Sequence, residues 1–135
     1  MFCVEDALDA LSWVESIGGL QGAIDRSSKN LNAVKSWVEQ SNWADFLCQD
    51  HANLSSTSIC LKVKDPNFLK LPIEDQQGKI KEINEMLENE QVAYDINSYR
   101  TAPPGFRIWG GSTVESSDIE NLLPWLDWAY TVVSK

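Results

Sequence analysis

The spacing of apolar residues changes several times along the chain, and these changes constrain the fold more than any other feature. In residues 3–17 and 20–41, apolar side chains recur every three or four positions, which is typical of amphipathic helices. Residues 57–63 instead alternate apolar with polar side chains, which predicts a strand. The helical spacing returns in residues 72–89, where Pro72 suits a first helical turn.

Shorter runs complete the predicted order of elements. Residues 46–48, 92–96 and 106–109 are predicted as strands, the last two from their alternation. A final helix is predicted to open with a capping box of Ser117 and Glu120. Its apolar stripe should face the core and consists of Ile119, Leu122, Leu126, Ala129 and Val133.

The order of these elements determines the expected fold class. Two helices come first, and pairs of strands then alternate with single helices, over links too short for a doubly wound parallel sheet. We therefore expect an α+β fold, with a small, mainly antiparallel sheet and helices packed on one face. Residues 1–135 are predicted to form a single domain.

Composition excludes several classes of partner. The formal net charge of −9 argues against nucleic acid and anionic membranes, and no apolar run is long enough to span a bilayer. Cys3, Cys48 and Cys60 are odd in number, lack CxxC spacing and follow no signal sequence, so we expect a cytoplasmic protein. Because His51 is the single histidine and no cysteine cluster accompanies it, a metal site is not expected.

The stretch YRTAPPGFRIWGG, residues 99–111, is the main candidate site. It carries two of the three arginines, Arg100 and Arg107, and arginine binds carboxylates and phosphates through two parallel hydrogen bonds. In the strand 106–109, Phe106 and Ile108 are predicted to point inward and Arg107 outward. The alternatives are that Arg107 pairs with an internal carboxylate and that Arg100 is an exposed loop residue with no partner.

Glycine and tryptophan residues near the predicted elements lead to further expectations. Gly110 and Gly111 should leave room for something to approach the backbone beside Trp109. Trp37 and Trp43 are predicted to pack in the core. Two more, Trp125 and Trp128, share a helical face and should pack against the sheet or against a neighbouring domain.

Four blocks of sequence resemble successive blocks of the phosphoserine aminotransferase family. They are FCVEDALDALSWVESIGGLQG, TSICLKV, YDINSYRTAPPGFRIWGG and ENLLPWLDWAY, and together they cover most of the chain. The resemblance implies the small C-terminal domain of a fold-type I enzyme that depends on pyridoxal phosphate. In that family a large domain precedes it and carries the cofactor, and the apolar spacing that starts at Phe2 also suggests a chain cut from a longer one.

The resemblance also implies a reaction and roles for the two arginines. Family members transfer an amino group between glutamate and 3-phosphohydroxypyruvate in serine biosynthesis. Arg107 matches the arginine that pairs with the substrate α-carboxylate, and Arg100 matches one that holds the phosphate across a homodimer interface. Tyr99 stands where related branches have histidine, so the resemblance assigns that residue no role.

The same resemblance limits what the chain is expected to do alone. None of its lysines stands in the family's cofactor context, so we expect no catalytic residue, no bound cofactor and no activity without the large domain. Exposed apolar residues, with Phe2, Val4, Trp109 and the region of Trp125 as candidates, should make it associate with itself as a homo-oligomer. Two other hypotheses remain, a free-standing module that binds a small anion and an interaction domain that docks a partner.

Overall fold

A computed structural model describes residues 2–135, and within that range the chain forms five helices and one three-stranded sheet. A single 3-10 turn, His51–Asn53, lies between the first two strands. No helix in the described range is both long enough and apolar enough to cross a membrane. The elements in chain order are α1 (Phe2–Ser16), α2 (Gly19–Gln40), β1 (Ala44–Phe46), β2 (Ser58–Val63), α3 (Pro66–Leu69), α4 (Ile73–Asn89), β3 (Gly105–Trp109) and α5 (Ser116–Val133).

The sheet is antiparallel throughout and runs in the order β1, β2, β3. Its register aligns Phe46, Leu61 and Phe106 in one row across the three strands. All three side chains are almost completely buried, at 1%, 2% and 1% exposure. Since alternate residues of a strand point to opposite faces, the partly exposed Lys62 and Arg107 mark the outer face.

Helices α2, α4 and α5 pack together and form one core with the inner face of the sheet. Val34 of α2, Leu87 of α4 and Leu126 of α5 are each 0% exposed within this core. The first helix, α1, packs mainly on α2 and contains no buried residue. The α+β prediction is therefore confirmed, with α1 outside the main core.

The predicted strand at 92–96 is wrong. Gln91 and Asp95 both have positive φ angles, 59° and 53°, which interrupt an extended run. The backbone N–H of Val92 donates to the Leu87 carbonyl at the end of α4, so that donor is not free for a sheet. Its connection to β3 is limited to the Arg107 N–H, which donates to the Ile96 carbonyl at 2.8 Å, next to an isolated bridge between Asn97 and Phe106.

Two other boundaries differ from expectation. The first strand is Ala44–Phe46 rather than 46–48. The last helix begins at Ser116 after Glu115, and no side-chain hydrogen bond caps it, so the predicted capping box is wrong. The side chain of Glu115, the N-cap residue, forms an ion pair with Arg26 of α2, and this pair connects the start of α5 to the second helix.

An aromatic cluster joins α2 to α5. The Trp43 ring stacks on Tyr130 at 4.2 Å and meets Trp37 edge-on at 5.6 Å. The indole N–H groups of Trp37 and Trp43 donate to the two carboxylate oxygens of Asp127, at 2.9 and 2.7 Å. These contacts confirm that both tryptophans serve packing.

The tryptophans at the other face of α5 are not buried. Trp125 and Trp128 are 38% and 41% exposed, and their rings meet edge-on at 5.4 Å. Packing of this pair against the sheet, one of the two expectations, is therefore wrong. The alternative, contact with a neighbouring domain, stays a prediction.

Candidate functional site

Arg107 lies in the middle of β3 on the outer face of the sheet, opposite Cys60 of β2. Its neighbours Phe106 and Ile108 are 1% and 2% exposed and point into the core, as the alternation predicted. The side chain of Arg107 is 28% exposed, so its guanidinium group is partly removed from water but remains accessible.

Two side chains from the preceding loop hold the guanidinium group loosely. The Tyr99 ring lies 4.6 Å from the Arg107 Cζ atom, and its hydroxyl accepts from Nη1 at 3.5 Å. An Asp95 carboxylate oxygen lies 3.5 Å from Nη2. The Nε atom of Arg107 is buried and has no hydrogen-bond partner. Charge-assisted hydrogen bonds usually measure about 2.7–2.9 Å, so this guanidinium group is under-satisfied.

The alternative in which Arg107 pairs with an internal carboxylate therefore has a structural basis, and its partner is Asp95. Sequence reasoning missed this residue because it placed Asp95 inside a strand, where its side chain was not assigned a role. An aspartate in a segment that turns back from a helix end was the available signal, since Asp tolerates positive φ.

Tyr99 is the second residue that sequence reasoning left without a role. The pKa of the Tyr99 phenol is lowered below its usual value. The main cause is the hydrogen bond from the Arg107 guanidinium group, and a hydrogen bond with Ser58 contributes next. The Tyr99 hydroxyl oxygen therefore acts as a hydrogen-bond acceptor for the Arg107 guanidinium group.

A cavity of about 420 Å³ opens beside Arg107. Its apolar side comes from β3 and α5, with Ile108 and Leu122 among the lining residues. Its polar side contains Arg107 together with two carboxylates, those of Asp95 and Asp118. One cation thus meets two anions across an apolar surface, in a space large enough for a small metabolite.

Arg100 does not line the same cavity. It lies exposed in the turn that follows Tyr99 and lines a smaller cavity of about 180 Å³, together with Tyr99 and Pro104. Arg100 makes no ion pair with any of residues 2–135. Tyr99 connects the two arginines, because it lines the Arg100 cavity and covers the Arg107 guanidinium group.

Helix α2 holds the loop that follows β3. The Asn30 side chain is completely buried, and its amide nitrogen lies within hydrogen-bond distance of the carbonyl oxygens of Gly110, Gly111 and Val114, at 3.1, 3.3 and 3.0 Å. Arg26 adds a 2.6 Å hydrogen bond to the Ser112 carbonyl. We call Arg26 and Asn30 the α2 latch, since together they fix the loop that leads from β3 to α5.

The two glycines of this loop do not leave room for a ligand, so that expectation is wrong. A Cβ atom on Gly111 would lie 2.7 Å from the Trp109 indole, and one on Gly110 would lie 2.8 Å from the Ile59 side chain. The space is already filled by the protein's own side chains. A larger residue at either position would have to displace these side chains.

The side chains that could coordinate a metal ion are dispersed over the structure. No group of three or more His, Cys, Asp or Glu side chains within residues 2–135 is arranged to hold a metal ion. The cysteines in this range are free, and His51 is exposed and packs edge-on against Phe46 at 5.7 Å.

The surroundings of Lys79 do not fit pyridoxal phosphate either. Lys79 lines a second cavity, of about 420 Å³, with Tyr130 and Asp65. However, its ammonium group donates to the Val133 carbonyl, while the Tyr130 hydroxyl donates to Asp65 at 2.8 Å. No arginine lines that cavity to receive a phosphate group. Lys79, Tyr130 and Asp65 thus each already have a partner within the protein.

Comparison with known proteins extends the sequence resemblance. No protein-family model matches the chain. Over 133 residues, 98% of its length, the chain is 45% identical to phosphoserine aminotransferase from Methanosarcina mazei. It is 44% identical over the same length to phosphoserine aminotransferase from Methanosarcina barkeri. The resemblance to the phosphoserine aminotransferases is confirmed. The chain spans about a third of these relatives, 33% of the length of each.

Solved structures show the same fold. Phosphoserine aminotransferase from Bacillus circulans subsp. alkalophilus superposes with a TM-score of 0.70 at 20% identity, over 90% of this chain and 30% of that one. A second structure, titled for radiation damage of the Schiff base in phosphoserine aminotransferase, superposes with a TM-score of 0.65 at 13% identity and equal coverage. At these identities the structural likeness concerns the fold alone.

Proposed function

We propose that the chain is the C-terminal, substrate-carboxylate-binding domain of a phosphoserine aminotransferase, acting on glutamate and 3-phosphohydroxypyruvate in serine biosynthesis in the cytoplasm. The observation that carries the proposal is the 45% identity over nearly the whole chain to a protein of that name. The chain's own site supports it, because the stretch that resembles the family presents a partly buried arginine with incomplete hydrogen bonding.

In this proposal Arg107 binds the α-carboxylate that both amino-acid substrates share. Its backbone is fixed by β2 on one side and by the Ile96 carbonyl on the other, which accepts from Arg107 N–H at 2.8 Å. Because the strand already fixes the backbone of Arg107, carboxylate binding requires less ordering of the protein. The apolar lining of the adjoining cavity suits the carbon chain of the substrate.

Arg100 has the phosphate group of the substrate as its proposed partner. It is exposed, in a turn, and without an ion pair among residues 2–135, so its charge is available to a group brought by another subunit. A homodimer that closes over this turn would place Arg100 at the phosphate of the neighbouring site, as the resemblance implies. The proposal therefore includes a homodimer.

Helix α1 supports the proposed presence of a large domain. Its apolar residues Val4, Leu8 and Leu11 are 60%, 52% and 61% exposed, although their spacing is that of a buried face. We propose that the cofactor-binding large domain covers this face. The cofactor and its lysine then belong to that domain, and the chain is catalytically incomplete without it.

The experiment uses the full-length enzyme that the proposal requires and follows each half-reaction separately. Arg107→Lys should weaken glutamate and phosphoserine alike, because an ammonium group loses the two-pronged geometry. Arg100→Ala should weaken phosphoserine and spare glutamate. Each loss should be about ten- to a hundredfold, since a charge-assisted contact contributes roughly 1.5–3 kcal/mol. Cofactor absorbance in single-turnover experiments measures both half-reactions.

Lys70→Ala is the matched control, because it removes one exposed positive charge from a residue that lines neither arginine's cavity. It should change neither half-reaction. If Arg100→Ala slowed both half-reactions equally, or Arg107→Lys left glutamate unaffected, the assigned roles would be wrong.

A free-standing module that binds a small anion is the second candidate. It is favoured by the core, which closes around α2, α4, α5 and the sheet without any buried residue from α1. The two candidates differ in their dependence on the large domain. Glutamate turnover that appears only when the large domain is supplied favours the aminotransferase.

A further inference from the structure

We propose that Asp95 is an internal competitor for Arg107, a carboxylate that occupies the guanidinium group until a ligand carboxylate displaces it. The inference rests on the proposed function, since it concerns the same arginine. It goes further by assigning to Asp95 the role of setting how tightly that arginine binds anions.

The geometry at Arg107 is that of a replaceable partner. The Asp95 oxygen lies 3.5 Å from Nη2, and the Tyr99 hydroxyl lies 3.5 Å from Nη1, at the outer limit for hydrogen bonds. The guanidinium group is thus neutralised by a nearby charge while its hydrogen-bonding capacity is unfilled. A ligand carboxylate that approaches both Nη atoms at normal distance would gain hydrogen bonds that Asp95 does not make.

The backbone fixes Asp95 beside Arg107, while its side chain stays free to move. The next residue, Ile96, accepts the Arg107 backbone N–H at 2.8 Å, which places residue 95 next to the guanidinium group. The Asp95 side chain is 88% exposed and therefore remains hydrated when it leaves the pair. Exposed ion pairs contribute little free energy, so displacement costs little.

Asp95 also opposes the entry of anions in general. It lines the cavity beside Arg107 together with Asp118, so an entering anion meets two negative charges and one positive charge. A simple ion such as chloride has only charge attraction to offset that repulsion. A carboxylate can add two directed hydrogen bonds to the guanidinium group, and this difference favours carboxylates over simple anions.

The test uses the 135-residue chain itself and the variant Asp95→Asn, with glutamate and chloride as probes. Asparagine keeps the shape of the side chain and tolerates the positive φ of 53°, so the loop conformation should persist. Asp9→Asn is the matched control, because it removes the same charge from an exposed position on α1. The Nε–H resonance of Arg107 in NMR spectra reports both ion pairing and ligand binding.

We expect the Arg107 resonance of the unliganded chain to shift in Asp95→Asn and not in Asp9→Asn. Glutamate should bind about two- to fivefold more tightly to Asp95→Asn, which is the range expected when an exposed competing pair is removed. Chloride should gain by a similar factor, because Asp95 competes with both anions for the same guanidinium group.

An unchanged Arg107 resonance in the unliganded Asp95→Asn chain would overturn the inference. So would glutamate that binds both chains with equal affinity, or a gain in Asp9→Asn that matches the gain in Asp95→Asn. Failure of the proposed function would look different. In that case glutamate would leave Arg107 unperturbed in both chains, and a shift of the free resonance in Asp95→Asn would still support the internal pair.

Discussion

The first and last helices have the same apolar spacing and opposite surroundings. In α5, the predicted inward residues Ile119, Leu126 and Ala129 are 3%, 0% and 0% exposed. In α1, Leu8 and Leu11 occupy an equivalent stripe and are 52% and 61% exposed. Periodicity therefore predicts that a helix has an apolar face. It does not predict which surface, if any, packs against that face.

The largest expected difference between the two helices is in the cost of removing one leucine. Leu126→Ala should lower the free energy of unfolding by about 2–5 kcal/mol, because it leaves a cavity in a fully buried site. Leu11→Ala should change it by less than about 0.5 kcal/mol, since the side chain is already largely in water. Urea unfolding of both variants measures this. Similar losses would mean that α1 is packed in solution, and the contrast would fail.

A smaller effect is expected where α2 joins the start of α5. Asn30→Ala should lower the free energy of unfolding by about 1–3 kcal/mol, because it leaves buried carbonyl groups of the 110–114 loop without their donor. Asn32→Ala, on the exposed side of the same helix, is the control and should be nearly neutral. Equal stability of the two variants in urea would show that water replaces the amide and that the α2 latch does not hold the loop.

The smallest effect concerns pH and the buried side of α5. Burial, followed by the hydrogen bond to Asp65 and its charge, raises the pKa of Tyr130 above the usual 10.0. Above about pH 10 the unfolded chain loses this proton while the folded chain keeps it, so the free energy of unfolding falls as pH rises. Tyr130→Phe should flatten that fall, by less than about 1.4 kcal/mol per pH unit.

Tyr94→Phe is the control for this titration, because Tyr94 is 65% exposed. Urea midpoints between about pH 8 and pH 10.5 compare the variants, and the exposed tyrosine should leave the slope of the original chain unchanged. Identical slopes for the Tyr130 and Tyr94 variants would show that Tyr130 ionises in the folded state as freely as a surface residue.

Sequence alone predicted the elements whose pattern repeats over many residues. The helix at 72–89 and the strand at 57–63 appear as Ile73–Asn89 and Ser58–Val63, and the alternation at Arg107 placed its neighbours in the core. The strand predicted at 92–96 was wrong because alternation over five residues does not reveal the positive φ angles of Asp95 and of Gln91 just before it. These local turns determine which side chains lie next to a site. The sequence therefore identified Arg107 but not its contacts with Tyr99 and Asp95.

Asn30 has a consequence for how this chain can vary between species. Its single amide nitrogen lies close to three carbonyl oxygens on a loop that is 80 or more positions further along the sequence. Aspartate lacks the N–H donors, leucine lacks any polar atom, and glutamine is one methylene longer, so each substitution would leave those carbonyls unmatched. Because the partners are backbone carbonyl groups, they are present whatever side chains the loop carries. Asn30 should therefore be substituted less often than its neighbours in related sequences that keep this loop conformation.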